Sequence, residues 1–160
     1  MTNLAAIVLV WMVRLQNPND PALHITPEWA ASYPETAQEI ADAAEKDPLF
    51  RDPKMTAALS TIYALQESHF NPDPCSVDPR WDCDGGASLG KWQTWRGWGD
   101  PTAETSLRVM HKSFEVCAKF PFAERLSWYA VGSKGGCASE HGRELSSYRM
   151  RLAKRLVAMP

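Results

Sequence analysis

Residues 53–72 have the sequence PKMTAALSTIYALQESHFNP, in which apolar residues return at the helical period. Met55, Leu59 and Ile62 are spaced by three or four positions, which places them on one face of an α-helix. Pro53 suits the first turn, because proline lacks the N–H group that a helix N-terminus leaves unpaired. This stretch therefore predicts an amphipathic helix.

Four other segments show the same period. The first has Ala37, Ile40, Ala41 and Ala44 on its apolar face, and the second has Leu107, Met110, Phe114 and Cys117. The third spans residues 122–131. The fourth has Leu145, Tyr148, Leu152 and Leu156 on its apolar face. Asp47-Pro48, Pro121 and Gly132 end the first three of these helices. Residues 71–102 are rich in Pro, Gly, Asp and Trp and predict a long loop with turns or a short sheet. We therefore predict a mainly α fold, a helical domain with a long loop region between its second and third helices.

The N-terminal part of the sequence has a different character. Residues 4–13 form an uninterrupted apolar run that is too short to span a bilayer, which needs about 20 residues. One interpretation is a degenerate export or anchor segment, although no Lys or Arg precedes it and no Ala-x-Ala site follows. The other is a helix or strand packed on the domain. Residues 17–34 contain four prolines and predict a linker, so we divide the chain into an N-terminal segment, 1–34, and a domain, 35–160.

Size and charge restrict the class of protein. A chain of 160 residues suits one domain with its own hydrophobic core. Lys and Arg number 17 against 19 Asp and Glu, which gives a net charge of −2. That balance argues against a nucleic-acid-binding protein, which usually carries a basic surplus. We expect a monomer without a cofactor, with membrane contact only if residues 4–13 act as an anchor.

Four cysteines are present, at positions 75, 83, 117 and 137. None forms a Cys-x-x-Cys pair and no histidine lies at zinc-ligand spacing, so we predict no metal site. We favour the disulfides Cys75–Cys83 and Cys117–Cys137, because each would close a short loop. The alternative is four reduced thiols in an internal protein, since an even number of cysteines is weak evidence for an oxidising compartment.

Glu67 is the candidate catalytic residue. On a helical wheel it lies about 160° from the apolar stripe, beside Ser60 and Tyr63. It also lies in the last helical turn, where the helix dipole disfavours a negative charge. The apolar Phe70 and the Asp-rich loop that follow act in the same direction, and a carboxyl group that keeps its proton can protonate a glycosidic oxygen. The alternative is a solvated glutamate at a helix end.

Three motifs, the first of which begins at Glu67, resemble those of a known enzyme family. Residues 67–72, ESHFNP, resemble the Glu-Ser-x-Phe-x-Pro signature of soluble lytic transglycosylases and goose-type lysozymes. Residues 86–93, GASLGKWQ, are similar to the family's second motif, a Gly-Ala/Ser stretch that leads to Gly-Leu-Met-Gln. Residues 128–132, WYAVG, are similar to the third, Ala-Tyr-Asn-Ala-Gly. The resemblance covers about residues 54–132 and implies a lysozyme-like helical fold.

The resemblance also implies roles for single residues. Glu67 would be the acid that protonates the leaving oxygen and then the base. Ser68 would order the site, Gln93 would bind sugar or N-acetyl groups, and Tyr129 would hydrogen-bond near Glu67 and hold it in place. Ala130 departs from the family pattern, because it replaces an asparagine whose amide would bind substrate.

Lys91-Trp92 is a second departure, since the family has Leu-Met there. It places the Lys91 cation and the large Trp92 ring beside the expected cleft. We assign Trp92 to substrate binding. Trp92, Trp95 and Trp98 recur at every third position. Indoles stack on the apolar faces of sugar rings, so these residues suit a glycan site. The alternative is that they fill the core, since Trp is mostly buried.

A second carboxylate is common in glycosidases. The candidates are Asp73, Asp78, Asp82 and Asp84, of which Asp84 is our choice. The resemblance implies that none is needed for transglycosylation, because the substrate's N-acetyl group can assist and the product is a 1,6-anhydro sugar. If an Asp activates water instead, the enzyme is a hydrolytic lysozyme. The alternative for all four is a role as solvated turn formers.

We therefore expect a glycosidase that cleaves the MurNAc–GlcNAc β-1,4 bond of peptidoglycan strands. Such an enzyme is exported to the cell envelope or beyond, or is phage-associated and acts on the host wall. The alternative is a lysozyme-fold module that binds cell-wall glycan or a protein partner without cutting it.

Overall fold

A computed structural model describes residues 1–16, 25–71 and 88–159 of the chain, and this part is mainly helical, as predicted. The helices are α1 Asn3–Leu15, α2 Pro27–Ala31, α3 Tyr33–Lys46, α4 Pro53–Ser68, α5 Ala103–Val116, α6 Ser127–Gly135 and α7 Glu140–Val157, with 3-10 turns at Arg96–Trp98 and Phe122–Glu124. Strands β1 Ser88–Leu89 and β2 Thr94–Trp95 form an antiparallel hairpin in which Ser88 pairs with Trp95. The short sheet expected in the loop region is therefore present.

Side-chain caps explain where several helices begin. The Asp52 carboxylate accepts a hydrogen bond from the backbone N–H of Lys54 at the start of α4. Thr102 does the same for Thr105 at the start of α5. These side chains pair N–H groups that the first helical turn leaves without an intrahelical partner. The helix starts are thus determined locally.

Helix α4 lies at the centre of the core and is buried all round. Every residue from Thr56 to Ala64 is buried, and α4 contacts α1, α3, α5 and α7. The sequence placed Ser60 and Tyr63 on a polar side of this helix, but both are fully buried. That prediction was wrong because neighbouring helices cover α4 on the side away from its apolar stripe as well.

The N-terminal apolar run forms α1, a helix packed on the domain. Its buried face includes Leu4, Val8 and Trp11, which belong to the same core as Ile40 of α3. This agrees with the second of the two interpretations of residues 4–13. No helix in the described ranges has both the length and the apolar character needed to cross a membrane.

The last two helices differ from the prediction. Residues 122–124 form a 3-10 turn and α6 begins only at Ser127; the positive φ of Gly132, 68°, interrupts its regular geometry. In α7 the predicted face is right only in part: Leu156 is buried and Leu152 packs against the core, but Tyr148 is exposed and the other buried residues are Gly142, Ser146, Arg149, Met150 and Ala153. The buried face includes Arg149, which a search of the sequence for apolar residues does not detect.

A disulfide joins Cys117, at the C-terminus of α5, to Cys137, just after α6. The two Cα atoms are 5.4 Å apart, and the bond closes a loop with a sequence separation of 20 residues. This pairing matches the prediction. The other predicted disulfide, Cys75–Cys83, lies outside the described residues, as does Asp84.

Replacing both Cys117 and Cys137 by Ala is expected to lower the free energy of unfolding by about 3 kcal/mol, because the unfolded chain regains the entropy of an open loop. Urea unfolding of the oxidised wild type and of the double variant measures the difference. Both proteins are then compared in a reducing buffer, where the difference must largely disappear. Equal stability under oxidising conditions would contradict the prediction.

Candidate active site

Glu67 lies in the last turn of α4, where the chain leaves the helix through two left-handed residues. His69 and Phe70 have φ values of 54° and 64°. Their N–H groups donate to the carbonyl oxygens of Leu65 and Ala64, which closes the helix C-terminus. Phe70 is fully buried and so fixes this turn, while the Glu67 side chain keeps 25% of its surface exposed.

Arg149 of α7 is the partner of Glu67. Its Nη1 lies 2.6 Å from Oε1 of Glu67, and its side chain is only 7% exposed. The guanidinium also lies 4.4 Å from the centre of the Tyr63 ring. Burial by itself lowers the pKa of Arg149, but the Glu67 carboxylate and Tyr63 outweigh that effect and raise it. Arg149 is therefore a permanent cation held against Glu67.

The sequence did not point to Arg149. An arginine in a basic C-terminal helix has the appearance of a solvated residue, and 82 positions separate it from Glu67. One signal was available in the sequence, since Ser146, Met150 and Ala153 form a stripe of small and apolar residues around it. The sequence therefore did not reveal that Glu67 has a buried, oppositely charged partner.

Tyr129 of α6 does not hold Glu67 in the way that the resemblance implied. Its hydroxyl lies 2.9 Å from the Ser106 hydroxyl and donates to the carbonyl oxygen of Trp92 at 3.2 Å. Its ring packs edge-on against Tyr63 with centroids 4.9 Å apart. Burial raises the pKa of Tyr129, so the phenol stays protonated. Among the described residues, Tyr129 therefore connects α5, α6 and the hairpin.

Tyr129→Phe is expected to lower the free energy of unfolding by about 1–2 kcal/mol, because the buried Ser106 hydroxyl and the Trp92 carbonyl each lose a partner. Urea unfolding measures the loss. The matched control is Tyr148→Phe, which removes a hydroxyl from a half-exposed tyrosine on α7 and should leave stability unchanged. Equal effects of the two substitutions would contradict the structural role of the Tyr129 hydroxyl.

The second motif is attached to the first through Ser68 and Trp92. The Ser68 hydroxyl donates to the carbonyl oxygen of Lys91 at 2.7 Å, which agrees with a role in ordering the site. The indole N–H of Trp92 donates to the carbonyl oxygen of Ser60 at 3.1 Å, and its side chain is buried. The assignment of Trp92 to substrate binding is therefore wrong, because its ring fills the core behind the hairpin.

Gln93 occupies the turn of the hairpin. Its φ of 46° lies in the left-handed region, and its side-chain amide donates to the carbonyl oxygen of Gly90 at 2.9 Å. The residue is partly exposed. Gly90 has a φ of 67°, and a Cβ atom there would collide with Pro101, so only glycine fits this position. The hairpin turn is consequently rigid, and it presents Gln93 at the surface.

The three motifs therefore meet at one place. Ser68 joins the end of α4 to the hairpin, and Tyr129 joins the hairpin to α6. Glu67 is the carboxylate at this junction, with Arg149 behind it. The structure thus brings together residues that lie far apart in sequence.

A surface groove lies away from this junction. It has a volume of about 610 Å³ and is lined by Glu124 and by residues of α7 that include His141, Tyr148 and Arg151. Neither Glu67 nor Gln93 lines it. We base the candidate site on the junction of the motifs, because the groove is open and mostly bordered by solvated charged side chains.

Comparisons with protein-family models, with curated proteins and with solved structures find no match to this chain. A function must therefore be argued from the residues of the site.

Proposed function

We propose that the chain is a lysozyme-like glycosidase that cleaves the MurNAc–GlcNAc β-1,4 bond of peptidoglycan, with Glu67 as its single acid and base. One observation supports this most strongly. Glu67 is a partly exposed carboxylate at the end of a helix whose central part is buried, and it lies where the three motifs that resemble lytic transglycosylases converge. A cell-wall substrate implies that the protein is exported or phage-associated.

The proposed reaction has two halves. In the first, the Glu67 carboxylic acid gives its proton to the bridging oxygen while the bond from that oxygen to C1 of MurNAc breaks. The N-acetyl group of the same sugar stabilises the positive charge that develops at C1. In the second half, the C6 hydroxyl attacks C1 and the Glu67 carboxylate takes its proton. The products are a free GlcNAc end and a 1,6-anhydro-MurNAc end, and no water is consumed.

Hydrolysis is the other outcome of the same first half. Water then replaces the C6 hydroxyl as the nucleophile, and a second carboxylate such as Asp84 activates it. In either reaction the ion pair with Arg149 holds the Glu67 side chain in place.

A second candidate function is favoured by the same ion pair. The Glu67 carboxylate is paired with the buried Arg149 guanidinium at 2.6 Å, an arrangement typical of a structural ion pair. The Tyr129 hydroxyl, which was expected to contact Glu67, binds Ser106 and Trp92. Both observations suit a module that binds cell-wall glycan or a protein partner without cutting it.

Product analysis distinguishes the candidates. Purified protein is incubated with insoluble peptidoglycan, and the sugar ends that it releases are identified by mass spectrometry. We expect 1,6-anhydro-MurNAc ends, which are lighter by one water than the reducing ends of a hydrolytic lysozyme. Reducing ends would establish hydrolysis instead. Release of no new ends by a folded protein would overturn the enzymatic proposal in favour of the binding module.

A further inference from the structure

Three indole rings form a row on the surface beside the candidate site. Trp95 ends β2, Trp98 lies in the 3-10 turn that follows, and Trp128 lies in the first turn of α6. The ring centroids of Trp95 and Trp98 are 6.1 Å apart with their planes at 81°, and those of Trp98 and Trp128 are 5.6 Å apart with their planes at 31°, so the rings pack on one another and do not lie in one plane. Trp95 is 50% exposed and the other two rings are partly exposed. We call this row the indole platform.

The backbone holds the platform in place. A Cβ atom at Gly97 would collide with the Trp95 ring, so the absence of a side chain there lets this ring lie over the turn. Arg108 of α5 donates a hydrogen bond to the carbonyl oxygen of Trp98 and anchors the same turn. The half-exposed Trp95 ring is thus held against the backbone at Gly97 and is not held by burial in the core.

We propose that the indole platform binds the glycan strand, an inference that rests on the proposed function and names where its substrate lies. The face of a pyranose ring carries axial C–H groups that pack on an aromatic ring, while its hydroxyl groups point outward to water. The half-exposed Trp95 ring can receive one sugar of a β-1,4-linked strand, and the partly exposed rings of Trp98 and Trp128 follow it in the cluster. Trp keeps a large flat surface at little cost in side-chain entropy, which favours it as a binding residue.

The surroundings of the platform favour a glycan over a membrane or an apolar protein surface. Within the described ranges, the other large hydrophobic residues that are exposed all lie in other elements: Met1, Val10, Val13, Val116, Phe122, Tyr148 and Met159. Within those ranges, none of these exposed aliphatic residues belongs to β2, to the Arg96–Trp98 turn or to α6. Arg108 is exposed at the Trp98 turn, and its charge complements the lactyl and peptide carboxylates of peptidoglycan.

The platform is continuous with the candidate site. Trp95 belongs to the same hairpin as Lys91, whose carbonyl oxygen accepts the hydrogen bond from Ser68 next to Glu67. Trp128 precedes Tyr129, whose hydroxyl donates to the carbonyl oxygen of Trp92 in the turn of the same hairpin. A strand bound at the indoles therefore lies on the elements that carry the second and third motifs.

Isothermal titration calorimetry tests the platform with soluble oligomers of N-acetylglucosamine as the probe, whose integrity is checked after each titration. Trp95→Ala is expected to weaken binding about tenfold, as truncation of a central Trp commonly does. Trp95→Phe should retain most of the affinity because it keeps a ring. Tyr148→Ala is the matched control, since it removes a comparably exposed aromatic side chain from α7.

Two results would overturn the platform. One is equal affinity of wild type and Trp95→Ala; the other is no binding of the oligomers by the folded wild type. Either result leaves the proposed function to be judged separately by the release of sugar ends from peptidoglycan, which does not depend on the probe. Weakened binding by both Trp95→Ala and Tyr148→Ala would also contradict a site confined to the indoles.

Discussion

Glu67→Gln is expected to lower the rate of peptidoglycan cleavage by about 10²–10⁴-fold, the range typical of losing general acid catalysis. Glutamine has the shape of glutamate but can neither donate an acidic proton to the bridging oxygen nor accept one from the C6 hydroxyl. Clearance of a peptidoglycan suspension, together with mass spectrometry of the released sugar ends, measures the effect.

A matched control separates chemistry from the loss of an ion pair. Glu124 is 28% exposed, close to the 25% of Glu67, and it also faces an arginine, Arg143 at 3.7 Å, although in a more exposed ion pair. Glu124→Gln should leave cleavage unchanged. Circular dichroism checks that both variants are folded at the assay temperature, because Glu67→Gln also leaves Arg149 facing a neutral amide. Wild-type cleavage by a folded Glu67→Gln variant would refute the assignment of Glu67.

Arg149→Met is expected to lower the free energy of unfolding by about 3–4 kcal/mol. Breaking a buried ion pair from one side typically costs about 3–5 kcal/mol, and the partial exposure of Glu67 places this pair toward the lower end. The guanidinium also packs on the ring of Tyr63, which is fully buried. Urea unfolding measures the loss.

A double-mutant cycle shows whether the loss comes from the pair itself. Glu67→Gln combined with Arg149→Met should destabilise the protein by less than the sum of the single changes, because the second change removes a charge that the first left unpaired. Arg143→Met is the control and should cost less than about 1 kcal/mol, since its ion pair with Glu124 is more exposed. Additive effects in the Glu67–Arg149 cycle would contradict a coupled pair.

Much of the local structure could be predicted from the sequence. The start of α4 at Pro53 follows from the Asp52 cap and from proline's fixed φ, both of which act within one turn. The Cys117–Cys137 bond was predicted because two cysteines that flank a short loop can readily meet. Glu67 and Ser68 were found from a motif of contiguous residues, for which no knowledge of distant contacts is needed.

The partners of those residues depended on the tertiary structure. Glu67 meets Arg149, Tyr129 meets Ser106 and Trp92, and none of these pairs is close in sequence. Whether a side chain is buried depends on what packs over it, so Trp92 lies in the core while Trp95, three positions later, stays half-exposed.

Helix α4 shows the same division. Its length and ends are determined by the sequence, because caps, proline and helical period act over a few residues. Its burial on all sides is determined by α1, α3, α5 and α7, which cover it from remote parts of the chain. Backbone hydrogen bonds and caps connect neighbours along the chain, whereas ion pairs and packing join residues wherever the fold brings them within contact distance.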